Sequence, residues 1–285
     1  MNEQAVQWTV SGGKVFGPAP FGVMGIVNVT PDSFYDGGAH DTAPSALAHA
    51  ARLLNEGADF LDIGAESSRP GAAALDAEAE CGRLLPVLCG LRAQHPCALL
   101  SVDTYHAKTA ARIFSAGLAH VLNDISACAY EPELLDVVAQ YKPGYVLMHA
   151  QGRPETMQKA PRYENVVDEV LDFFAREMHR LTAAGLPEER IVLDPGIGFG
   201  KKTAHNMALL RAAPRVQAAL GRPLLMGLSM KSLFGDVLGL PVGRRGQATQ
   251  IATALLARGN VRLHRVHDVA ATVQTLQLTD LWMRG

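Results

Sequence analysis

Cysteine is scarce in this chain. The four present, Cys81, Cys89, Cys97 and Cys128, form no C-x-x-C pair, which argues against a zinc ribbon and a dithiol redox motif. Buried, reduced thiols are expected instead. Long apolar runs are also lacking, and none reaches the ~18 residues that would span a bilayer. The opening Met1-Asn-Glu-Gln-Ala has neither a basic nor an apolar leader, so no secretory signal is expected and the chain is assigned to the cytoplasm without membrane contact. No excess of one charge is present: the formal net charge is −2. A basic face for nucleic acid is therefore not expected. Neither a G-x-G-x-x-G turn after the first apolar run nor a G-x-x-x-x-G-K-[ST] loop occurs, which argues against dinucleotide and P-loop sites. Linkers and low-complexity segments are missing as well.

What the chain has is core. Of its 285 residues, 48% are hydrophobic, enough for a large folded unit and far from disorder. Continuous apolar blocks at 21–28, 59–64, 98–103, 119–123, 144–149, 190–194, 223–229 and 260–266 read as strands covered on both faces. Between them, 43–57, 75–94, 105–117, 132–141, 164–185, 204–220 and 246–259 read as helices, and 268–283 closes the chain. Gly57, Gly117 and Gly185 stand where helix C-caps belong. Strict alternation of eight strands and eight helices predicts an α/β fold, a (β/α)8 TIM barrel, for which ~250 residues is typical. A doubly wound sheet is the alternative, but the Gly-rich turn it would need is missing. Residues 6–17, around Gly12-Gly13, read as a short N-terminal β-hairpin that plugs the barrel bottom. One domain, 1–285, is expected, with the barrel from about residue 18. Trp8 and Trp282 read as packing residues of hairpin and helix.

The strand ends are polar. The first leads into Asn28-Val-Thr-Pro-Asp32-Ser-Phe34-Tyr-Asp36-Gly-Gly. The next lead into Asp62-Ile-Gly-Ala-Glu66-Ser-Ser68-Arg69-Pro70-Gly71, Ser101-Val-Asp103-Thr104 and Asn123-Asp124-Ile-Ser126. The last four lead into Met148-His149, Asp194-Pro-Gly-Ile-Gly-Phe199-Gly-Lys201, Ser229-Met230-Lys231-Ser232 and Arg265-Val-His267-Asp268. Asp103, Asp124 and Asp268 also fit helix N-caps, and His149 fits a satisfied barrel-mouth residue. The set as a whole marks the C-terminal face, where barrels of this kind do chemistry. Side chains two apart share a face, which pairs Ser101 with Asp103, Ser229 with Lys231, and Arg265 with His267. Buried Asp103 and Asp194 need partners, and an aminopyrimidine-like edge rich in N–H groups supplies them. Arg265 and His267 at the mouth suit a phosphate. Asn28, Asp32 and Asp36 are oxygen donors suited to Mg²⁺.

On these motifs the chain resembles the dihydropteroate synthase family of pterin-binding barrels, over essentially its whole length after about residue 15. The resemblance implies condensation of 6-hydroxymethyl-7,8-dihydropterin pyrophosphate with p-aminobenzoate, giving 7,8-dihydropteroate and pyrophosphate in folate synthesis. It implies Mg²⁺ as cofactor, small-molecule substrates as the partners, a homodimer, and sensitivity to sulfonamides. Matching positions for the pterin are Asp103, Asn123, Asp194 and Lys231. For pyrophosphate they are Asn28, Arg69, Arg265 and His267, and for the metal Asn28 and Asp36. For p-aminobenzoate they are Phe34, Ser68, Pro70, Phe199 and Ser232. Asp36, Lys231, Arg265 and His267 are the expected catalytic residues.

Two positions depart from the family pattern. The usual Ser-Arg-Lys is Ser229-Met230-Lys231 here, and strand alternation would turn Met230 away from the site. The usual Gly-Glu-Ser-Thr is Ala65-Glu-Ser-Ser68, which keeps the hydroxyl and loses a methyl. Two rivals share the barrel. A methyltetrahydrofolate-dependent methyltransferase would keep Asp103, Asn123 and Asp194 but has no use for a pyrophosphate clamp. A non-catalytic pterin-binding barrel would not need Lys231 or the loop carboxylates.

Overall fold

The apolar blocks become the staves of a barrel. In the computed structural model, which describes residues 5–29, 42–66, 75–153 and 156–284, these are β3 (Gly22–Asn28), β4 (Phe60–Gly64), β5 (Leu99–Asp103), β6 (Val121–Asp124), β7 (Gly144–Met148), β8 (Ile191–Asp194), β9 (Leu225–Met226) and β10 (Leu263–Val266). All pair in parallel, in the order β8-β7-β6-β5-β4-β3-β10-β9. A parallel bridge from Leu193 to Leu224 and a 3.0 Å bond from Leu193 N to Pro223 O join β8 to β9 and close the ring.

The outer helices are α1 (Thr42–Asn55), α2 (Ala77–Gln94), α3 (Ala107–Ser115), α4 (Leu134–Tyr141), α5 (Val166–Ala183), α6 (Thr203–Leu220), α7 (Ser232–Leu238), α8 (Gly246–Arg258) and α9 (Val269–Arg284). Gly57, Gly117 and Gly185 stand just past α1, α3 and α5 with positive φ. Past α3, Gly117 N bonds Phe114 O and Leu118 N bonds Ile113 O, the paired bonds that satisfy a helix's last carbonyls.

Two elements differ from the sequence expectation. The seventh barrel strand covers two residues rather than 223–229. Pro223 has no N–H for the ladder, and the chain turns at Ser229–Met230, where Met230 has φ +60°. The sequence assigns no element to α7, which is short and carries Gly235, a weak helix former. The Arg245 guanidinium lies 2.6 Å from where a Cβ on Gly235 would stand, so a larger residue there would push that side chain aside.

Alternation along the strands divides the core. Val23, Leu61, Ile63, Leu100, Val102, Leu122, Leu147 and Leu193 face the helices. Met24, Phe60, Val121, Val146, Val192, Leu225 and Leu263 face inward, at the N-terminal end of the barrel. That end is sealed by the antiparallel hairpin β1 (Val6–Thr9) and β2 (Val15–Ala19), whose Val6, Trp8 and Phe16 join the inward cluster. The Trp8 ring lies 5.2 Å from Phe60, and its Nε1 donates to Arg190 O at 2.8 Å. The site is therefore left to the opposite, C-terminal end. Trp282 does not pack: it is 84% exposed on α9. Cys81 and Cys128 are buried, whereas Cys89 and Cys97 are exposed, and all four are free thiols. Among the described residues no helix is long and apolar enough to cross a membrane.

Candidate active site

Above the apolar floor the inward positions turn polar in two layers. Asp62 of β4 lies beside Ser101 of β5, and one pleat higher Asn28, Gly64, Asp103 and Asn123 run in register across four strands. Gly64 leaves room in that upper row, since a Cβ there would be 3.2 Å from Asp103 Cβ. Across the barrel Asp194 ends β8, opposite Met148.

One guanidinium ties the layers together. Arg265 Nε donates to Asp62 Oδ2 at 2.6 Å and Nη2 to Asp103 Oδ2 at 2.7 Å. Asn123 Nδ2 donates to the same Asp62 oxygen at 2.8 Å. Asp62 is wholly buried, so this pairing is what makes its charge tolerable. Its other oxygen, Oδ1, and the neighbouring Ser101 Oγ are buried without a partner among the described residues. Buried polar atoms are rarely left so, and both face the barrel interior, where a donor-rich ligand would meet them. Asp194 Oδ1 accepts the Gly196 N–H at 2.7 Å, and the Lys231 ammonium stands 4.4 Å over the Phe199 ring.

Burial dominates the electrostatics. It raises the Asp103 carboxyl to about 7, against the opposing pull of Arg265. Burial likewise raises Asp194, with the Gly196 N–H and Lys231 opposing. It lowers Lys231 to about 8, against Asp194. The pocket thus sets a carboxyl and an ammonium, those of Asp103 and Lys231, close to neutrality, as groups in functional clefts often are.

Of the residues singled out in the sequence, Asp103, Asn123, Asp194, Lys231, Arg265 and Phe199 line this interior. Arg265 is not at the mouth. It pairs in register with Met24, four residues below Asn28, and reaches up to the two carboxylates. His267 is at the rim and exposed, with Nδ1 2.9 Å from Ser229 Oγ. Asn28 is exposed at the end of β3, and Ser232 is exposed at the start of α7. Met230 owes its orientation to a turn and not to strand alternation; its carbonyl accepts from Arg245 Nη1 at 3.2 Å. Asp32, Phe34, Asp36, Ser68, Arg69 and Pro70 lie outside the described residues.

Asp268 is a helix cap, accepting from Ala271 N at 3.1 Å. Asp124 instead gathers Ser126 N, Ser126 Oγ, Cys128 N and Tyr145 OH at 2.6–2.7 Å, holding a turn in which Ala127 and Cys128 both have positive φ. Sequence reasoning assigned no role to Asp62 or Ser101. Their position two residues before Gly64 and Asp103 put them on the inward face, and that signal was available.

A parallel barrel with a polar, carboxylate-lined well at its C-terminal end defines a class of enzyme. Residues 24–267 match the pterin binding enzyme family, and the chain belongs to it. Within that family its relatives are dihydropteroate synthases, and the chain is a transferase of that group. It is 39% identical to the Escherichia coli K12 dihydropteroate synthase over 258 residues, 90% of each chain. The Yersinia pestis dihydropteroate synthase with a sulfonamide drug complex superposes with a TM-score of 0.91 at 38% identity, covering 98% of this chain and 100% of that one. The Xanthomonas albilineans dihydropteroate synthase in complex with 7,8-dihydropteroate superposes with a TM-score of 0.87 at 40% identity, covering 98% and 100%.

Proposed function

We propose that the chain condenses 6-hydroxymethyl-7,8-dihydropterin pyrophosphate with p-aminobenzoate, releasing pyrophosphate and 7,8-dihydropteroate. The observation that carries this is the hydrogen-bonded arrangement of buried Asp62 and Asn123 with half-buried Arg265 and Asp103, faced by buried Asp194. Such a well offers carboxylate and amide acceptors to the N–H-rich edge of a pterin and little to an apolar ligand. In the Xanthomonas complex the reaction product is the ligand.

An arylamine is neutral at pH 7 and already nucleophilic, so the reaction needs no strong base. The difficult step is loss of pyrophosphate from the pterin CH₂. The pterin ring delocalises the positive charge left on that carbon, which favours C–O cleavage ahead of C–N bond formation. Asp103 and Asp194 stabilise the cationic ring from below, and Asp36 is assigned the same task from its loop. Arg265, His267 and Arg69 take the charge that grows on the leaving group. The amine then adds to the CH₂, lying between Phe199, Lys231 and Ser232, and its surplus proton passes to solvent or to the released pyrophosphate; the resemblance assigns Phe34, Ser68 and Pro70 to the same substrate. Sulfonamides would compete there.

The metal fits the donors modestly. Asn28 presents an amide oxygen in the open at the end of β3, and no group of three His, Cys, Asp or Glu suited to a metal occurs among the described residues. Mg²⁺ keeps several waters and substrate oxygens among its ligands, so Asn28 with Asp36 suffices as the protein's share. When bound, the ion supplies positive charge beside the pyrophosphate oxygens.

We also infer a homodimer. Nine of the ten exposed large hydrophobic residues among those described lie between Val237 and Met283, on α7, α8, α9 and the turn at Val242. Scattered exposed residues are ordinary, but a concentration of this kind marks an interface.

The test is product formation from the two substrates, with Arg265→Ala alongside. Removing the guanidinium takes away a leaving-group contact and strands Asp62, so turnover should fall about 10²–10³-fold, and the melting temperature should fall with it. Near-wild-type pyrophosphate release in the variant would overturn the role of Arg265. No dihydropteroate from the wild-type chain would overturn the function.

A further inference from the structure

Lys201 ends the Asp194–Lys201 stretch and has no part in the chemistry above. It is 3% exposed. Its ammonium lies 2.9 Å from His149 Nδ1, 3.1 Å from His149 O, 3.0 Å from Gly196 O and 3.0 Å from Phe199 O. An ammonium has three N–H donors, and four acceptors surround it, so its hydrogen-bonding capacity is consumed within the protein. A buried charge needs this degree of pairing. What it pairs is informative: His149 follows the end of β7, whereas Gly196 and Phe199 belong to the loop after β8.

That loop is pressed onto the β7 end more closely than side chains permit. A Cβ on Gly196 (φ +63°) would lie 1.9 Å from His149 O, and one on Gly200 (φ +61°) 2.3 Å from Gln151 O. The loop has other ties: Gly198 N donates to Asn206 Oδ1 at 2.9 Å and Tyr163 OH to Gly200 O at 2.9 Å. Phe199 N also bonds Gly196 O at 3.0 Å within the loop, but Lys201 is the tie that joins Phe199 to the end of β7, and the Phe199 ring carries Lys231 4.4 Å above it. Asp194 meets the loop through the Gly196 N–H that its Oδ1 accepts at 2.7 Å, but its place is fixed independently by β8 and by His149 N, which donates to its backbone carbonyl at 3.0 Å.

We propose that Lys201 is a positioning residue for the second substrate: its buried ammonium draws the Gly196 and Phe199 carbonyls onto the end of β7 and so sets where the Phe199 ring stands beside Lys231. The proposal rests on the reading of Phe199 and Lys231 as walls of the p-aminobenzoate pocket. Loss of the ammonium then weakens binding of the arylamine and spares binding of the pterin.

Steady-state kinetics on the full chain tests it. Lys201→Met keeps an unbranched side chain, one atom shorter, without the donors. It should raise KM for p-aminobenzoate by at least about fivefold, with KM for the pterin pyrophosphate and kcat within about threefold of wild type. Phe199→Leu should give the same split. The double variant should show no further rise, since residues acting through one another are non-additive. If Lys201→Met fails to fold, Lys201→Gln retains two N–H donors on a shorter arm and should give a smaller rise in the same KM. An unchanged p-aminobenzoate KM, equal rises in both KM values, or full additivity with Phe199→Leu would each sink the proposal while wild-type turnover stands. A wild-type chain that forms no dihydropteroate would remove the reading beneath it, and the proposal with it.

Discussion

Asp103 and Lys231 face the same well with opposite protonation needs. A carboxylate accepts from a pterin N–H more strongly than a neutral acid does, and burial sets the Asp103 carboxyl at about 7. As pH falls through 7 the group gains a proton and the acceptor is weakened; Asp194, also raised by burial, moves in the same direction. Lys231 sits at about 8, again through burial, and loses its charge as pH rises beyond that. Free enzyme ready for the pterin is thus most populated between about 7 and about 8. The kcat/KM for pterin pyrophosphate should be bell-shaped across that window, its limbs belonging to the cluster as a unit. A flat profile from pH 6 to 9 would rule out this assignment. The residues that line the well were legible in the sequence because each stands at or just past the end of an apolar run. The depth of Arg265 was not, because it follows from the β10–β3 register, which pairs Arg265 with Met24 and which no local pattern encodes.

The hairpin and the two misread elements show where element-level reasoning holds. β1 and β2 were legible from Gly12-Gly13 between alternating residues, and their task follows from Trp8, Val6 and Phe16 filling the inward cluster below the site. Strand β9 was read too long and helix α7 was missed for local reasons: Pro223 and the Met230 turn shorten the strand, and Gly235 hides the helix. Because the hairpin seals the end away from the chemistry, stability and activity should separate there. Trp8 is 1% exposed, and Trp8→Ala removes a large side chain and leaves Arg190 O without its donor. The loss should be about 3–5 kcal/mol, a drop in Tm on the order of 10 °C. Below the transition, kcat/KM should stay within about twofold of wild type. Thermal melts and turnover at 25 °C check the pair, and lost activity in still-folded protein would show that the plug also shapes the site.

At the scale of the whole molecule the sequence misassigned Trp282 to helix packing, because a tryptophan in an amphipathic helix reads as core until the neighbouring helices are in place. On α9, Leu278, Leu281 and Trp282 fall three and four residues apart and all face outward; on α8, Ile251 and Leu255 do the same. Spacings of three and four place side chains on one face, and α8 packs directly against α9, so the two rows form one apolar surface. A second copy of the chain can bury it isologously, each patch against its own counterpart. Trp282, an aromatic able to bury roughly 150–250 Å², is the natural anchor of such a contact. Wild-type protein should therefore sediment as a dimer at micromolar concentration, and Trp282→Ala should weaken association by about 2 kcal/mol or more, about thirtyfold in Kd. Adding Leu281→Glu should give monomer, since a charge in the centre of a dry interface goes unpaired. The described site residues lie at strand ends and in the loops after them and none is on α8 or α9, so the monomer should keep kcat within about threefold. A monomeric wild type would refute the interface, and a dimeric double variant would move it elsewhere on the surface.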